Sequence, residues 1–264
     1  RPRVYKKLGE TLEEAYIREA RAVRNSVGIV DVTSLGKIDV QGPDAAEFLN
    51  RIYANAFLKI PVGKARYGVM LREDGYMFDD GTCWRLSETQ FLMTTTTANA
   101  AGVLTELERL LTLVWPDLKV HVSSVTDQWA GMAIAGPKSR DVLVKIIDDI
   151  DFSEEGLPYM AVADGHIDEI SVKIARLSFS GERAYEIYAE TSHGTAVWEA
   201  IIEAGVPYDI MPYGTEALGT LRIEKGHISG PELDGRTTIA DVGLGGMAST
   251  KKQYIGSVLK QREG

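Results

Sequence analysis

At 264 residues, with 44% hydrophobic and 25% charged side chains, the chain has the composition of an ordinary globular protein with room for one large domain or two fused halves. Its formal net charge of −9 argues against nucleic acid or an anionic membrane as the main partner, and its single cysteine, Cys83, excludes an intrachain disulfide or a thiolate metal cluster. No apolar run is long enough to span a membrane and no signal peptide opens the chain, so the expected setting is the reducing cytoplasm. Both ends read as cut, as in a piece of a longer protein: the first residues are Arg1-Pro2-Arg3, and Lys260-Gln261-Arg262-Glu263-Gly264 is a polar, helix-like tail.

Thr11-Leu12-Glu13-Glu14 predicts a capping box at the start of a helix whose apolar positions are Leu12, Ala15, Tyr16, Ala20 and Val23, stopped by Gly28. Short strands follow at Ile29–Val32 and Lys37–Val40. Gly42-Pro43-Asp44 then opens a helix with the face Ala45, Phe48, Leu49 and Ile52. Tyr67–Leu71 and Cys83–Leu86 read as two strands of a hairpin turned by Asp74-Gly75, which tolerate positive φ. Asp79 and Asp80 lie just past that turn. Adjacent residues of a strand point to opposite faces, so one of these acids is expected toward water and the other toward a covered cleft, where a carboxylate needs a partner or a task. The pair also fits solvated acids flanking a turn.

After Phe91–Met93, the β-branched run Thr94–Thr97 suits a strand end, and a helix with the stripe Ala101, Leu104, Leu107, Leu110 and Leu111 follows. Trp129–Ala135, Gly136-Pro137-Lys138 and a helix with Val142, Leu143 and Ile146 repeat the Val40–Pro43 pattern 94 positions later, a weak internal duplication. Strands at Ile170–Leu177 and Tyr185–Ala189 come next, then a helix at Ala196–Ile202 closed by Gly205. Another helix starts at Pro212-Tyr213-Gly214-Thr215, carries Ala217, Leu218 and Leu221, and ends at Gly226 before a loop from His227 to Thr238. Short strands and helices without regular βαβ spacing indicate an α+β fold.

The chain has no Gly-x-Gly-x-x-Gly and no P-loop. His121, His166, His193 and His227 have no metal-pair spacing, so no metal site is expected; Cys83 reads as an inert core thiol, and Ser180-Gly181 lacks a nucleophile-elbow context. Two acids remain in suggestive settings. Asp80 follows the hairpin turn, and Glu186 shares a strand face with Ala184 while Tyr185 and Ile187 take the other. An exposed acid on a half-buried strand fits Glu186 equally well. Tyr67, Trp84, Tyr159 and Phe179 could supply aromatic walls or plain core.

Several strings resemble the folate-dependent aminomethyltransferases, the T-proteins of glycine cleavage. They are Arg21–Val32, Val40–Ala45, Ala65–Met70, Gly75 with Asp79-Asp80, Ser180-Gly181-Glu182 with Tyr185-Glu186, and Leu221–Glu224, in the family's order and over about Arg18 to Gly256. Leu35–Leu49, Met93–Ala100 and Gly214–His227 are more similar to the C-terminal part of the α subunits of heterotetrameric sarcosine oxidases. Two departures from T-proteins agree with that: Ser34-Leu35-Gly36 stands where T-proteins carry His-Met-Gly, and Leu218 where they carry an Arg that helps hold the folate tail.

The resemblance implies a duplicated folate-binding domain, with two similar halves and exchanged strands. The expected parts are a lead-in helix at 1–27, halves at 28–120 and 121–250, and at 251–264 the start of a linker to a C-terminal barrel that is absent. It implies tetrahydrofolate as ligand, Glu186 gripping the pterin, Tyr67, Trp84, Thr96 and Phe179 also contacting it, and Asp80 as the catalytic aspartate, with Asp79 turned away. The implied reaction moves the one-carbon unit of oxidised sarcosine to tetrahydrofolate, giving 5,10-methylenetetrahydrofolate and glycine. FAD, FMN and NAD would belong to other parts of the complex, namely the remaining α-subunit domains and the β, γ and δ subunits. A freestanding T-protein is the alternative. A non-catalytic folate-binding module is another, against which Asp79-Asp80 counts.

Overall fold

The computed structural model describes residues 2–259. In chain order its elements are α1 (Leu12–Asn25), β1 (Gly28–Asp31), β2 (Gly36–Gln41), α2 (Ala45–Ile52), β3 (Lys64–Leu71), β4 (Met77–Arg85), β5 (Gln90–Thr95), α3 (Ala100–Arg109) and β6 (His121–Ser124). There follow β7 (Trp129–Ala135), α4 (Ser139–Leu143), β8 (Val162–Ile167), β9 (Ile170–Ala175), β10 (Ala184–Glu190), α5 (Gly194–Gly205), β11 (Met211–Pro212) and α6 (Thr215–Lys225). The chain divides into two compact units. One is Asp127–His227 with the chain up to Ser34; the other is Leu35–Thr126 with the chain from Ile228 on.

In the first unit the expected capping box is present: Thr11 Oγ1 accepts the Glu14 N–H at 3.2 Å, and the Glu14 carboxylate accepts the Thr11 N–H at 2.8 Å. Gly28 does not stop α1. The helix ends at Asn25, because Ser26 leaves the helical region (φ −144°, ψ −95°), and Gly28 begins β1. The sheet runs β11-β1-β7-β10-β9-β8. The β1–β11 pair is parallel and all others are antiparallel. One face carries Ile29, Met132, Ile134, Val172, Ile174, Tyr185 and Ile187, packed with Val142 and Leu143 after β7 and with Val197 and Ile201 of α5. β1 thus pairs with strands from beyond residue 127, an exchange of the kind the resemblance implies.

The second unit has the antiparallel sheet β3-β4-β5-β2-β6. Ile38, Val40, Met70, Cys83, Phe91 and Met93 pack beneath α2 and α3. The stripe expected for α3 largely holds: Leu107 and Leu110 are buried and Leu104 and Leu111 pack against the same core, while Ala101 is exposed and Val103 is buried in its place. A 3₁₀ turn at Thr97–Asn99 precedes this helix and a π turn at Leu110–Val114 follows it. Val69, Leu71 and Met77 pack with Ile228, Ile239 and Tyr254 of the C-terminal segment. The Lys252 ammonium donates to the Asn50 and Tyr53 carbonyls at the end of α2, tying that segment down.

The Gly-Pro turns that suggested duplication share one conformation. Gly42 has φ +142° and Gly136 has φ +131°, and a Cβ would lie 2.0 Å from the Lys119 carbonyl in one and 2.4 Å from that of Ser26 in the other. Among the described residues the strands form two open sheets and no closed barrel, as expected of an α+β chain without the barrel. No helix there is long and apolar enough to cross a membrane. Residues 260–264, which include the helix-like tail and the end of the expected linker, lie outside the described residues.

Candidate active site

The β3–β4 turn closes as the Asp74-Gly75 signal requires. Gly75 has φ +90°, its N–H donates to Arg72 O at 2.9 Å, and the Arg72 N–H donates to Tyr76 O at 2.8 Å. Directly after it the register shifts. Leu71 pairs with Met77 and Met70 with Asp79, so Phe78 is an extra residue in a β-bulge. A bulge changes which face later residues take. Asp80 pairs with Val69 on the side covered by the segment from Ile228, and Asp79 pairs with Met70 on the side covered by α2 and α3.

Neither acid faces water, contrary to the alternation argument. Asp79 is 0% and Asp80 8% exposed, because both faces of β4 are covered. The Tyr67 hydroxyl donates to Asp80 Oδ2 at 2.8 Å. Burial pushes the Asp80 carboxyl up to about 6; the Tyr67 hydrogen bond opposes that rise, and the charge of Glu232 adds to it. Burial pushes Asp79 up to about 7 despite hydrogen bonds from the Thr96 hydroxyl (2.6 Å) and the Thr96 N–H (3.2 Å). Thr96 therefore directs both its donors to Asp79. Trp84 is fully buried, and its Nε1–H donates to Thr82 Oγ1 at 3.0 Å. Cys83 is buried too, and burial pushes its thiol well above the ordinary range, in keeping with an inert core thiol.

In the first unit Glu186 lies on a central strand, between Ala133 of β7 and Ala175 of β9. Tyr188, opposite Gly131, shares its face, and its hydroxyl donates to Glu186 Oε2 at 3.0 Å. Small neighbours leave this half-buried acid on a low floor, while Tyr185 and Ile187 enter the core on the other face as expected. Phe179, 37% exposed, sits in the loop before β10. Its carbonyl accepts from His227 Nδ1 at 3.1 Å and its ring lies 5.6 Å from the imidazole. Tyr159 is exposed. Tyr188 was not among the residues expected at the site; its two-residue offset from Glu186 in a strand is the signal that finds it.

A cavity of about 530 Å³ in the second unit is lined by Ile52, Met70, Phe78, Val103 and Leu107, among others. Met70 is on the Asp79 side of the hairpin, so this space is separate from the Asp80 carboxylate.

A carboxylate that titrates about 6 beside a phenol is anionic at neutral pH, yet close enough to neutrality to take and return a proton. The model of the GCVT N-terminal domain family matches residues 1–252, and the chain belongs to that family. The sarcosine oxidase subunit alpha of Rhizobium meliloti (strain 1021) is 51% identical over 257 residues, 96% of this chain and 26% of that protein. An aminomethyltransferase of Corynebacterium aurimucosum is 34% identical over 250 residues, 93% of this chain and 66% of that one. The crystal structure of glycine cleavage system aminomethyltransferase T from Bartonella henselae matches with a TM-score of 0.80 at 24% identity, covering 93% of this chain and 65% of that one, which establishes the shared fold. The chain spans about a quarter of the length of the sarcosine oxidase alpha subunits it matches. The resemblance read from the sequence strings is thereby borne out.

Proposed function

We propose that this chain is the tetrahydrofolate-binding part of a sarcosine oxidase α subunit, moving the one-carbon unit of oxidised sarcosine to tetrahydrofolate with release of glycine. The observation that carries the reading is the buried Asp80–Tyr67 pair, poised near neutrality in a chain half identical to such a subunit. The donor set suits folate. The two oxygens of Glu186, on a floor of Gly131, Ala133 and Ala175, match the paired N–H groups of an aminopyrimidine edge. Tyr67, Trp84, Thr96 and Phe179 complete the proposed binding set. Trp84 acts from beneath through Thr82, whereas both donors of Thr96 are taken by Asp79 on the other side of β4.

When bound, tetrahydrofolate supplies the nitrogens that accept the one-carbon unit. Asp80 stabilises the positive charge of the incoming C=N⁺ group and takes up the proton released from the attacking folate nitrogen. Tyr67 holds Oδ2, which orients the carboxylate for that transfer. Asp80 stays ionised above its pKa of about 6.

In this reading 28–120 and 121–250 are the halves of the duplicated domain. FAD, FMN and NAD sit in other α-subunit regions and in β, γ and δ partner subunits, and the complex is cytoplasmic. The test is to supply the full-length protein, assembled with its partners, with sarcosine and tetrahydrofolate. The expected product is 5,10-methylenetetrahydrofolate. Stoichiometric free formaldehyde at saturating tetrahydrofolate would overturn the proposal. Transfer from an aminomethyl-lipoyl carrier, without sarcosine oxidation, would favour a freestanding aminomethyltransferase.

A further inference from the structure

Arg24, in the last turn of α1, directs its guanidinium into two other parts of the first unit, the loop before β10 and α6. Nη1 donates to the Ser180 carbonyl at 2.8 Å and to Glu182 Oε1 at 2.9 Å. Nη2 donates to Glu224 Oε2 at 2.6 Å and to the Leu221 carbonyl at 3.4 Å, and Nε donates to Glu224 Oε2 at 3.2 Å. A guanidinium has five N–H donors in a rigid fork, and here each has an acceptor. Two of the acceptors are backbone carbonyls, so the side chain fixes the path of the chain as well as neutralising acids. One of them, Ser180 O, belongs to the residue after Phe179.

The loop that Arg24 holds runs from 178 to 183 and feeds directly into β10, where Glu186 lies. At its far end Arg183 is held as well: its carbonyl accepts the Gly136 N–H at 2.9 Å and the Ser139 hydroxyl at 3.0 Å, and its guanidinium donates to Glu154 Oε1 at 2.8 Å. Ser178 Oγ accepts the Gly181 N–H at 3.1 Å and donates to the Glu182 carbonyl at 2.5 Å. His227 Nδ1 holds the Phe179 carbonyl. The Arg24 fork is thus the tie that joins this loop to both α1 and α6. It also accounts for two strings that carried the family resemblance, Ser180-Gly181-Glu182 and Leu221–Glu224, since each supplies one carbonyl and one carboxylate to the same guanidinium.

We propose that Arg24 is a positioning residue for the ligand site: its guanidinium locks loop 178–183 and so sets where Phe179 and Glu186 meet the bound molecule. The proposal rests on the folate reading above. A simple exposed ion pair contributes little to stability and nothing to a neighbouring site. Arg24 differs because a lysine keeps the charge but cannot bridge the four groups.

The experiment measures tetrahydrofolate affinity in the full-length, assembled protein for Arg24→Lys, Glu182→Gln, Phe179→Ala, Glu186→Gln and Ile174→Val. Ile174 is a buried core residue of the same unit, so Ile174→Val lowers the melting temperature without touching the loop. Arg24→Lys is expected to weaken binding about tenfold, well beyond any variant of matched stability, and to speed amide exchange at Gly181 and Glu182 while the β7–β10 ladder stays protected. Glu182→Gln keeps an acceptor and is expected within about twofold of wild type. Wild-type affinity in Arg24→Lys, with Phe179→Ala and Glu186→Gln both weakened, overturns the role of Arg24 alone. An equal loss in Ile174→Val reduces Arg24 to general stability and also overturns it. Unchanged affinity in Phe179→Ala and Glu186→Gln overturns the folate reading, and this inference with it.

Discussion

Two hairpins each set a carboxylate against a tyrosine hydroxyl, and they do it differently. Asp80 receives Tyr67 from the neighbouring strand at 2.8 Å; Glu186 receives Tyr188 from its own strand, two residues on, at 3.0 Å. Asp80 is buried beside a bulge, with Asp79 and Glu232 as further acids, and its carboxyl is pushed up to about 6. Glu186 is half-buried among alanines on a regular ladder. Desolvation turns a carboxylate into a proton-transfer group, whereas a partly open one with small neighbours is suited to recognising a ligand edge. If this contrast is functional, the two acids should fail in different ways.

The largest effect is expected at Asp80. Asp80→Asn keeps the size and accepts the Tyr67 hydrogen bond, but it loses the charge and the basicity. Oxygen uptake and folate binding should persist, while transfer slows by about 10²–10⁴ and free formaldehyde replaces methylenetetrahydrofolate. Formaldehyde measured beside oxygen uptake decides this, and a normal methylenetetrahydrofolate yield would remove Asp80 from the chemistry. Glu186→Ala should do the opposite. Titration calorimetry should show tetrahydrofolate binding weakened by roughly 2–4 kcal/mol, the range for a lost paired, charge-assisted contact. At saturating folate the product ratio should be restored. A transfer defect that saturation cannot rescue would collapse the contrast between the two acids.

A smaller effect concerns Asp79 and is read in stability. A carboxyl whose folded pKa is about 7 holds more proton in the folded than in the unfolded state between about pH 4 and 7. Its contribution therefore falls as pH rises through that window, and Asp80, at about 6, adds a slope of the same sign. Asp79→Asn keeps only part of the Thr96 pairing and should cost about 1–2 kcal/mol at pH 5. The deficit should shrink toward pH 8, where the wild type carries the buried charge. Urea unfolding at both pH values tests this, and a deficit that grew with pH would contradict the burial argument.

Strand alternation alone makes Asp79→Asn look like a neutral control, since it turns that residue away from Asp80. The alternation is right, but what covers the second face is a long-range fact that local pattern does not contain. The same limit explains the other misses. The bulge at Phe78 leaves no mark in composition. β6 and β8 carry no apolar run because they are sheet edges, and in α3 only Ala101 fails to face the core, Val103 being buried instead. Signals written in a few adjacent residues were legible: the Thr11 capping box, the Asp74-Gly75 turn, the two Gly-Pro turns and the αL glycine at Gly226. At the site, Asp80 with Tyr67 and Glu186 with its alternating neighbours could be read from strand patterns and the family strings. Arg24 could not, because its acceptors lie about 160 and 200 residues away.

The smallest effect sharpens the comparison most, because it asks whether the two tyrosines do the same work. Tyr67 lowers the pKa of an acid that burial has raised, so Tyr67→Phe should move the acid limb of the transfer rate upward from about 6. Tyr188→Phe should leave that limb alone. Tyr188 is fully buried, and its ring, over Gly131, stays in place when only the hydroxyl is removed. What is lost is one donor to Glu186 Oε2, which orients the carboxylate. Freed of it, Glu186 should still bind folate, but about 0.5–1.5 kcal/mol more weakly, the net worth of a single hydrogen bond. The expected result is a shift in folate Kd of roughly 2- to 12-fold with an unchanged pH profile of transfer. If Tyr188→Phe instead moved the pH profile, Glu186 would be acting on the proton as Asp80 does. The division between a buried proton-transfer acid and a partly open recognition acid would then have to be given up.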